Sequence, residues 1–169
     1  DPTVDGLKTG HTAAAGYCLV ATSKRDFPGV GQRRLLSIVL GAASENARAN
    51  ESQKLLNWGY TAFDAVKLFD AGQPVATPDL WKGKQSQLKI GRAEPIVVTV
   101  PSGSAGKVST QVVRQEPLLA PIAQGQQVGT LKVMLGEQSV AEVPLVALEG
   151  VEQAGLLGRA WDAIRLWIK

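Results

Sequence analysis

The residue types best suited to polar chemistry gather near the start of the chain, in Lys8-Thr9-Gly10-His11. A cation, a hydroxyl and a position with no side chain stand next to one another there. That set can hold an anionic group and let an extended backbone approach closely. On its own the tripeptide Lys8-Thr9-Gly10 equally suits a surface lysine near a turn. The rest of the reactive inventory is thin. His11 and Cys18 are the sole histidine and cysteine, so an internal disulfide and a Cys-based zinc cage are excluded, a His-based metal site and an internal His-dependent triad are disfavoured, and no metal site is expected. Cys18 lies in an apolar run and reads as an inert buried thiol.

Composition narrows the field further. The chain has 169 residues, 44% hydrophobic and 20% charged, enough to bury a core and close to globular averages. The net charge of +3 is spread along the sequence without a basic stripe or interleaved aromatics, which argues against nucleic-acid binding. No run approaches the roughly 20 apolar residues of a spanning helix. The opening, Asp1-Pro2-Thr3-Val4-Asp5-Gly6, has no initiator Met and no leader pattern, and it is expected to belong to a longer protein.

The elements that must position the Lys-Thr-Gly strip begin with two nearly continuous apolar runs, Gly16 to Thr22 and Leu35 to Leu40. Both have the form of buried strands. Between them, Ser23 to Arg33 carries charges, Pro28-Gly29 and Gly31, and is expected to be an exposed connection joining an antiparallel pair. From Glu45 to Val66 the period changes to a helix, with Ser44 as N-cap and Leu55, Gly59, Ala62, Phe63 and Val66 on one face. Ala71-Gly72-Gln73-Pro74 breaks that helix. Short strands follow at Leu88 to Ile90, Ile96 to Val100, Val108 to Arg114, Val128 to Leu135 and Val140 to Leu148, with a turn at Gly136-Glu137-Gln138. Their spacing predicts a small all-β sandwich. In the last segment Leu157, Ala160, Trp161, Ile164 and Ile168 share one helical face, with Arg159, Asp162, Arg165 and Lys169 opposite. Such a helix suits either a membrane interface or docking on its own protein.

The run from Val4 to Thr12, followed by Ala15-Gly16-Tyr17-Cys18-Leu19-Val20-Ala21, closely resembles the third motif of low-molecular-mass penicillin-binding proteins of the serine D-alanyl-D-alanine carboxypeptidase type. Arg48-Ala49-Asn50-Glu51-Ser52-Gln53-Lys54-Leu55-Leu56 and Trp58-Gly59 resemble the helix that ends their catalytic domain. The resemblance continues in order to the terminal helix. It implies an α+β fold: the C-terminal part of a penicillin-binding, β-lactamase-like transpeptidase domain (1–66), a small all-β sandwich (67–152) and an amphipathic anchor helix (153–169). It implies removal of the terminal D-Ala from peptidoglycan pentapeptides through an acyl-enzyme, and acylation by β-lactam antibiotics. Acyl transfer needs an activated nucleophile, a cation for the substrate carboxylate and donors for the oxyanion. By the same resemblance Lys8 supplies positive potential and assists proton traffic. Thr9 binds the terminal carboxylate, Gly10 admits the substrate backbone, and the His11 backbone N–H is an oxyanion donor. Arg48 helps bind the carboxylate. No cofactor is implied.

The family also requires a Ser-x-x-Lys nucleophile motif and a Ser-x-Asn motif, both before Lys-Thr-Gly. The Ser-x-x-Lys spacings here, Ser86 to Lys89 and Ser104 to Lys107, and the sequence Ser44-Glu45-Asn46, all follow it. Ser86 to Lys89 lies in strand pattern and Ser104 to Lys107 in a polar loop, so they are read as decoys. The nucleophile is expected in an N-terminal part of the catalytic domain that is not in this chain, which alone is expected to be inactive. Two alternatives are a serine β-lactamase-like hydrolase, disfavoured by the extra β domain, and a non-catalytic envelope spacer or binding module. With the family in view, Leu157, Trp161, Ile164, Trp167 and Ile168 become a peripheral anchor. The protein is then expected in the periplasm, on the outer face of the inner membrane.

Overall fold

The computed structural model describes residues 1–155 and Asp162. It is an α+β protein of two compact units, one made of residues 1–66 and 99–105, the other of residues 67–98 and 106 onward.

Three antiparallel strands, β1 (Val4–Thr12), β2 (Gly16–Phe27) and β3 (Gly31–Ala42), form the sheet of the first unit in that order. The three-residue loop after β1 is tied by the Ala15 amide donating to Thr12 Oγ1 at 3.0 Å. Gly16 closes it at φ +67°, where a Cβ would lie 3.1 Å from the backbone of Gly41 and Ala42. The expected exposed connection from Ser23 to Arg33 is mostly strand, because β2 runs to Phe27 and β3 resumes at Gly31. Its polar residues are structural here. The Tyr60 hydroxyl donates to the Ser23 carbonyl at 2.8 Å, and the Arg33 guanidinium lies 4.7 Å from the centre of the Phe27 ring.

Helix α1 (Glu45–Ala62) is capped by Ser44, whose Oγ accepts from the Ala47 amide at 3.1 Å. It buries Arg48, Ser52, Leu56 and Tyr60, spaced four residues apart, against the sheet. The expected face was displaced: Leu55 is largely exposed, and Gly59 is the member of that set held tightly, since a Cβ there would come 2.8 Å from Leu35 Cδ1. The helix also stops four residues earlier than its period predicts. Phe63 turns to extended backbone and opens β4 (Phe63–Phe69). The Ser102 amide donates to the Ala62 carbonyl at 2.9 Å, and the Asp64 carboxylate accepts from Ser102 Oγ and the Gly103 amide. The bond to the Ala62 carbonyl and the pairing of β4 with a second strand take up backbone groups that another helical turn would have used, which is how tertiary context overrides local period.

The second unit contains β5 (Pro74–Ala76), β6 (Leu80–Trp81) and β7 (Ile90–Gly91). The chain then runs through β8 (Ile96–Pro101), which pairs with β4, and a 3₁₀ turn at Ala105–Lys107. Next come β9 (Val108–Arg114), β10 (Leu118–Leu119), β11 (Gln127–Leu135) and β12 (Gln138–Ala147). Five of them form a sheet in the order β5-β7-β12-β11-β9, and β10 pairs with β6. Its core is Leu88, Ile90, Leu131, Val133 and Leu145, none of which keeps any measurable exposure. The expected turn joins β11 to β12, with Gly136 at φ +60° in the position that a two-residue hairpin gives to glycine. The Leu88 to Ile90 strand is shifted and shortened to Ile90–Gly91, and Leu88 fills the core from irregular chain.

Candidate active site

Strand β1 carries the Lys-Thr-Gly strip at the rim of its sheet. Among the described residues β1 pairs with β2 alone, so its second edge is open. In an antiparallel ladder alternate residues of an edge strand turn both N–H and C=O away from the neighbour, which leaves a template for an extended peptide. Lys8, Thr9, Gly10 and His11 are all exposed on that edge. The register sets Lys8 opposite Val20, Thr9 opposite Leu19, Gly10 opposite Cys18 and His11 opposite Tyr17. Thr9 and His11 therefore share a face with Leu19 and Tyr17, while Lys8 and Gly10 share the other with Val20 and Cys18. α1 covers the first of these faces, since Ser37 of β3, directly across from Ala21, shares a buried hydrogen bond with Ser52 of the helix.

Of the five expected site residues, Lys8, Thr9, Gly10 and His11 are contiguous, and Arg48 reaches them from α1. The Arg48 guanidinium is buried and donates to the Gly10 carbonyl at 3.3 Å and to Glu45 Oε1 at 2.6 Å. It also lies 5.6 Å from the centre of the Tyr17 ring. His11 stacks on the same ring, with ring centroids 4.0 Å apart and planes inclined by 29°. Lys8 Nζ folds back to the Thr9 carbonyl at 2.7 Å.

One carboxylate lies on β1, and it is already committed. Both oxygens of Asp5 accept from the Arg34 guanidinium at 2.7 Å, a two-pronged pairing, and Thr22 Oγ1 donates to the same group. The Arg34 hydrogen bonds, then that from Thr22, hold the Asp5 carboxyl well below the usual carboxylate range, and Arg34 is raised in turn. The cation of Lys8 is thus not neutralised by its nearest acid along the strand.

The two Ser-x-x-Lys spacings, Ser86 to Lys89 and Ser104 to Lys107, fall in short or irregular structure. Ser86 sits in a bend of the second unit, and Ser104 precedes a single 3₁₀ turn; neither begins an α-helix. Ser44 is spent as the helix cap. Among the described residues no group of three His, Cys, Asp or Glu side chains could hold a metal ion. Sequence reasoning passed over Tyr17, Glu45 and the Asp5–Arg34–Thr22 set. Tyr17 was within reach: a three-residue loop between Thr12 and Gly16 makes His11 and Tyr17 cross-strand partners. The expected anchor residues Leu157, Trp161, Ile164, Trp167 and Ile168 lie outside the described residues. Asp162 is described, and its carboxylate accepts from the Lys82 amide at 2.7 Å.

Comparison with known proteins matches the chain to two family models in succession. The model of the family described as penicillin-binding protein 5, C-terminal domain, matches residues 63–153, and that of D-alanyl-D-alanine carboxypeptidase matches residues 1–44. The chain is 40% identical over 164 residues to the D-alanyl-D-alanine carboxypeptidase DacC of Escherichia coli, covering 96% of this chain and 40% of that protein. It is 33% identical over 167 residues to DacA of Haemophilus influenzae, covering 98% and 42%. The crystal structure of penicillin-binding protein 5 from Haemophilus influenzae superposes with a TM-score of 0.78 at 32% identity, over 89% of this chain and 43% of that one. The chain therefore spans about two fifths of the length of these curated relatives.

Proposed function

Because the chain belongs to the penicillin-binding protein 5 C-terminal domain family, we propose that the intact protein is a serine-type D-alanyl-D-alanine carboxypeptidase. It removes the terminal D-Ala of peptidoglycan pentapeptides through an acyl-enzyme, and β-lactams acylate the same serine. The observation that carries this reading is the Lys8-Thr9-Gly10 strip on the open edge of β1, in a segment that the carboxypeptidase family model matches. Substrate adds along that edge as an extended strand. Lys8 supplies positive potential, Thr9 Oγ1 donates to the terminal carboxylate, Gly10 leaves room for the substrate backbone, and the His11 N–H faces the developing oxyanion. Arg48 serves the site through the Gly10 carbonyl, with its remaining donors for the substrate carboxylate.

The serine comes from an N-terminal part of the catalytic domain, which we place against the first unit. Two features support this placement. Leu36, Ile38 and Leu40, at alternate positions of β3, form an exposed apolar row. Beside it, Leu35, Leu55, Trp58 and Phe63 line a cavity of about 290 Å³. The domain assignment follows: catalytic 1–66, β sandwich 67–152 as a spacer, and 153–169 as a peripheral anchor on the periplasmic side of the inner membrane.

The intact protein should be labelled by a fluorescent penicillin and this chain alone should not. Lys8→Ala in the intact protein should slow acylation about 100-fold or more, the scale of losing one group that stabilises the transition-state charge. Labelling of the chain alone, or undiminished acylation of Lys8→Ala, would overturn the assignment. For the anchor, anionic liposomes should retain the full chain and release one ending at Gly155. Equal retention of both refutes attachment through that segment.

A further inference from the structure

We propose that Tyr17 is a positioning residue for the oxyanion donor of this site, an inference that rests on the carboxypeptidase reading above. Its ring joins two elements that the chemistry needs in register. His11 of β1 stacks on it at 4.0 Å, and the Arg48 guanidinium of α1 lies 5.6 Å from its centre. Arg48 is at the same time hydrogen-bonded to the carbonyl of Gly10, the residue just before His11. The peptide joining Gly10 to His11 is thus fixed at both ends. Arg48 holds its oxygen, and the Tyr17 stack holds the side chain of the residue whose N–H points at the developing charge.

The need for such a support follows from the position of the strip. β1 is an edge strand whose residues from Lys8 to Thr12 are exposed, so the core packing that normally freezes a strand is missing. Tyr17 itself cannot drift. It follows Gly16, held at φ +67° where an added Cβ would lie 3.1 Å from the backbone of Gly41 and Ala42, and it pairs across the sheet with Ala42. An oxyanion donor works only while it is held at the position the oxygen takes in the transition state, and small displacements cost rate steeply. Both contacts use the ring of Tyr17 and not its hydroxyl, which makes the proposal specific: an aromatic ring is required at 17, a phenol is not.

The test uses the intact protein and two readouts, the dissociation constant of the initial penicillin complex and the rate of acylation within it. A group acting through the oxyanion donor changes the rate and leaves initial binding alone. Tyr17→Leu is expected to lower the acylation rate about 10-fold, a modest fraction of the loss that a 1 Å displacement causes, while initial binding changes by less than about twofold. Tyr17→Phe should restore the wild-type rate. His11→Ala removes the same stack from the other side, so the double variant with Tyr17→Leu should be no slower than either single variant. A wild-type rate for Tyr17→Leu, or losses that multiply in the double variant, overturns the proposal. So does a slow Tyr17→Phe. Should Tyr17→Leu melt below the assay temperature, His11→Ala decides alone, and a wild-type rate there overturns it. A wild-type protein that penicillin never acylates defeats the carboxypeptidase reading itself, before any variant is compared.

Discussion

The three-stranded and five-stranded sheets of this chain dispose of their apolar side chains in opposite ways. In the second unit Leu131, Val133 and Leu145 leave nothing exposed. In the first, β3 turns Leu35, Ser37 and Val39 inward but leaves Leu36, Ile38 and Leu40 at 57, 57 and 72% exposure. The inward row of the first unit is also more polar, with Ser23, Arg33, Ser37, Arg48 and Ser52 buried between sheet and helix. One unit therefore closes a core from its own residues. The other holds itself by polar ties and presents a large apolar face, together with the open edge that carries Lys8-Thr9-Gly10. The difference separates a self-sufficient scaffold from the face and edge on which the proposed function rests.

That contrast can be broken by substituting one side chain in each sheet. Leu131→Ala should destabilise the second unit by about 2–5 kcal/mol, because it empties a fully enclosed space that the surrounding strands cannot refill. Leu36→Ser, the same kind of apolar loss on the open face of β3, should change the stability of this chain by no more than about 0.5 kcal/mol. Amide exchange of β11 and β12 in the first case, and of β2 and β3 in the second, reads each effect in its own sheet. In the intact protein the ranking should narrow: if Leu36 is covered there, its substitution costs stability it does not cost here. An equal and large loss for both variants in this chain would mean that the two sheets do not differ as described.

How much of this was legible beforehand depends on whether period or pairing decided the outcome. The Lys-Thr-Gly strip, the helix cap at Ser44 and the Gly136 hairpin are local signals, and each is where its residues predict. The run from Leu35 to Leu40 reads as a strand buried on both faces, and β3 is that strand, but this chain covers only one of its faces. The error at Phe63 to Val66 has the opposite origin. Helical spacing continued through those residues, yet the ladder of β4 with β8 took their backbone, a partner more than thirty positions away that no local window contains. Two-residue strands such as β6 and β10 are too short to show a period. Arg48 was found through the resemblance, whereas its bond to the Gly10 carbonyl depends on how α1 crosses the sheet and could not be read from spacing.

The smallest effect tests the polar side of the same comparison. Asp5 of β1, Thr22 of β2 and Arg34 of β3 tie the three strands of the first unit together with hydrogen bonds where the second unit uses apolar contact. The Asp5 carboxyl is held below its ordinary value of 3.8 by the Arg34 guanidinium. A carboxylate that ionises more readily folded than unfolded stabilises the fold above its unfolded pKa, and that contribution is lost as protons return on acidification. It should therefore be complete at neutral pH and disappear as the pH falls below about 4. Both partners are nearly half exposed, so water and salt screen the pair and the contribution at neutral pH is small. Asp5→Asn should leave the urea midpoint at neutral pH almost where it was and flatten its decline on the acid side. The exchange rates of β1 should respond while those of β11 do not. A steep acid decline that survives Asp5→Asn unchanged would place the acid-sensitive ties of the first sheet elsewhere, and would leave the open strand β1 held by its pairing to β2 and by the Arg48–Gly10 bond.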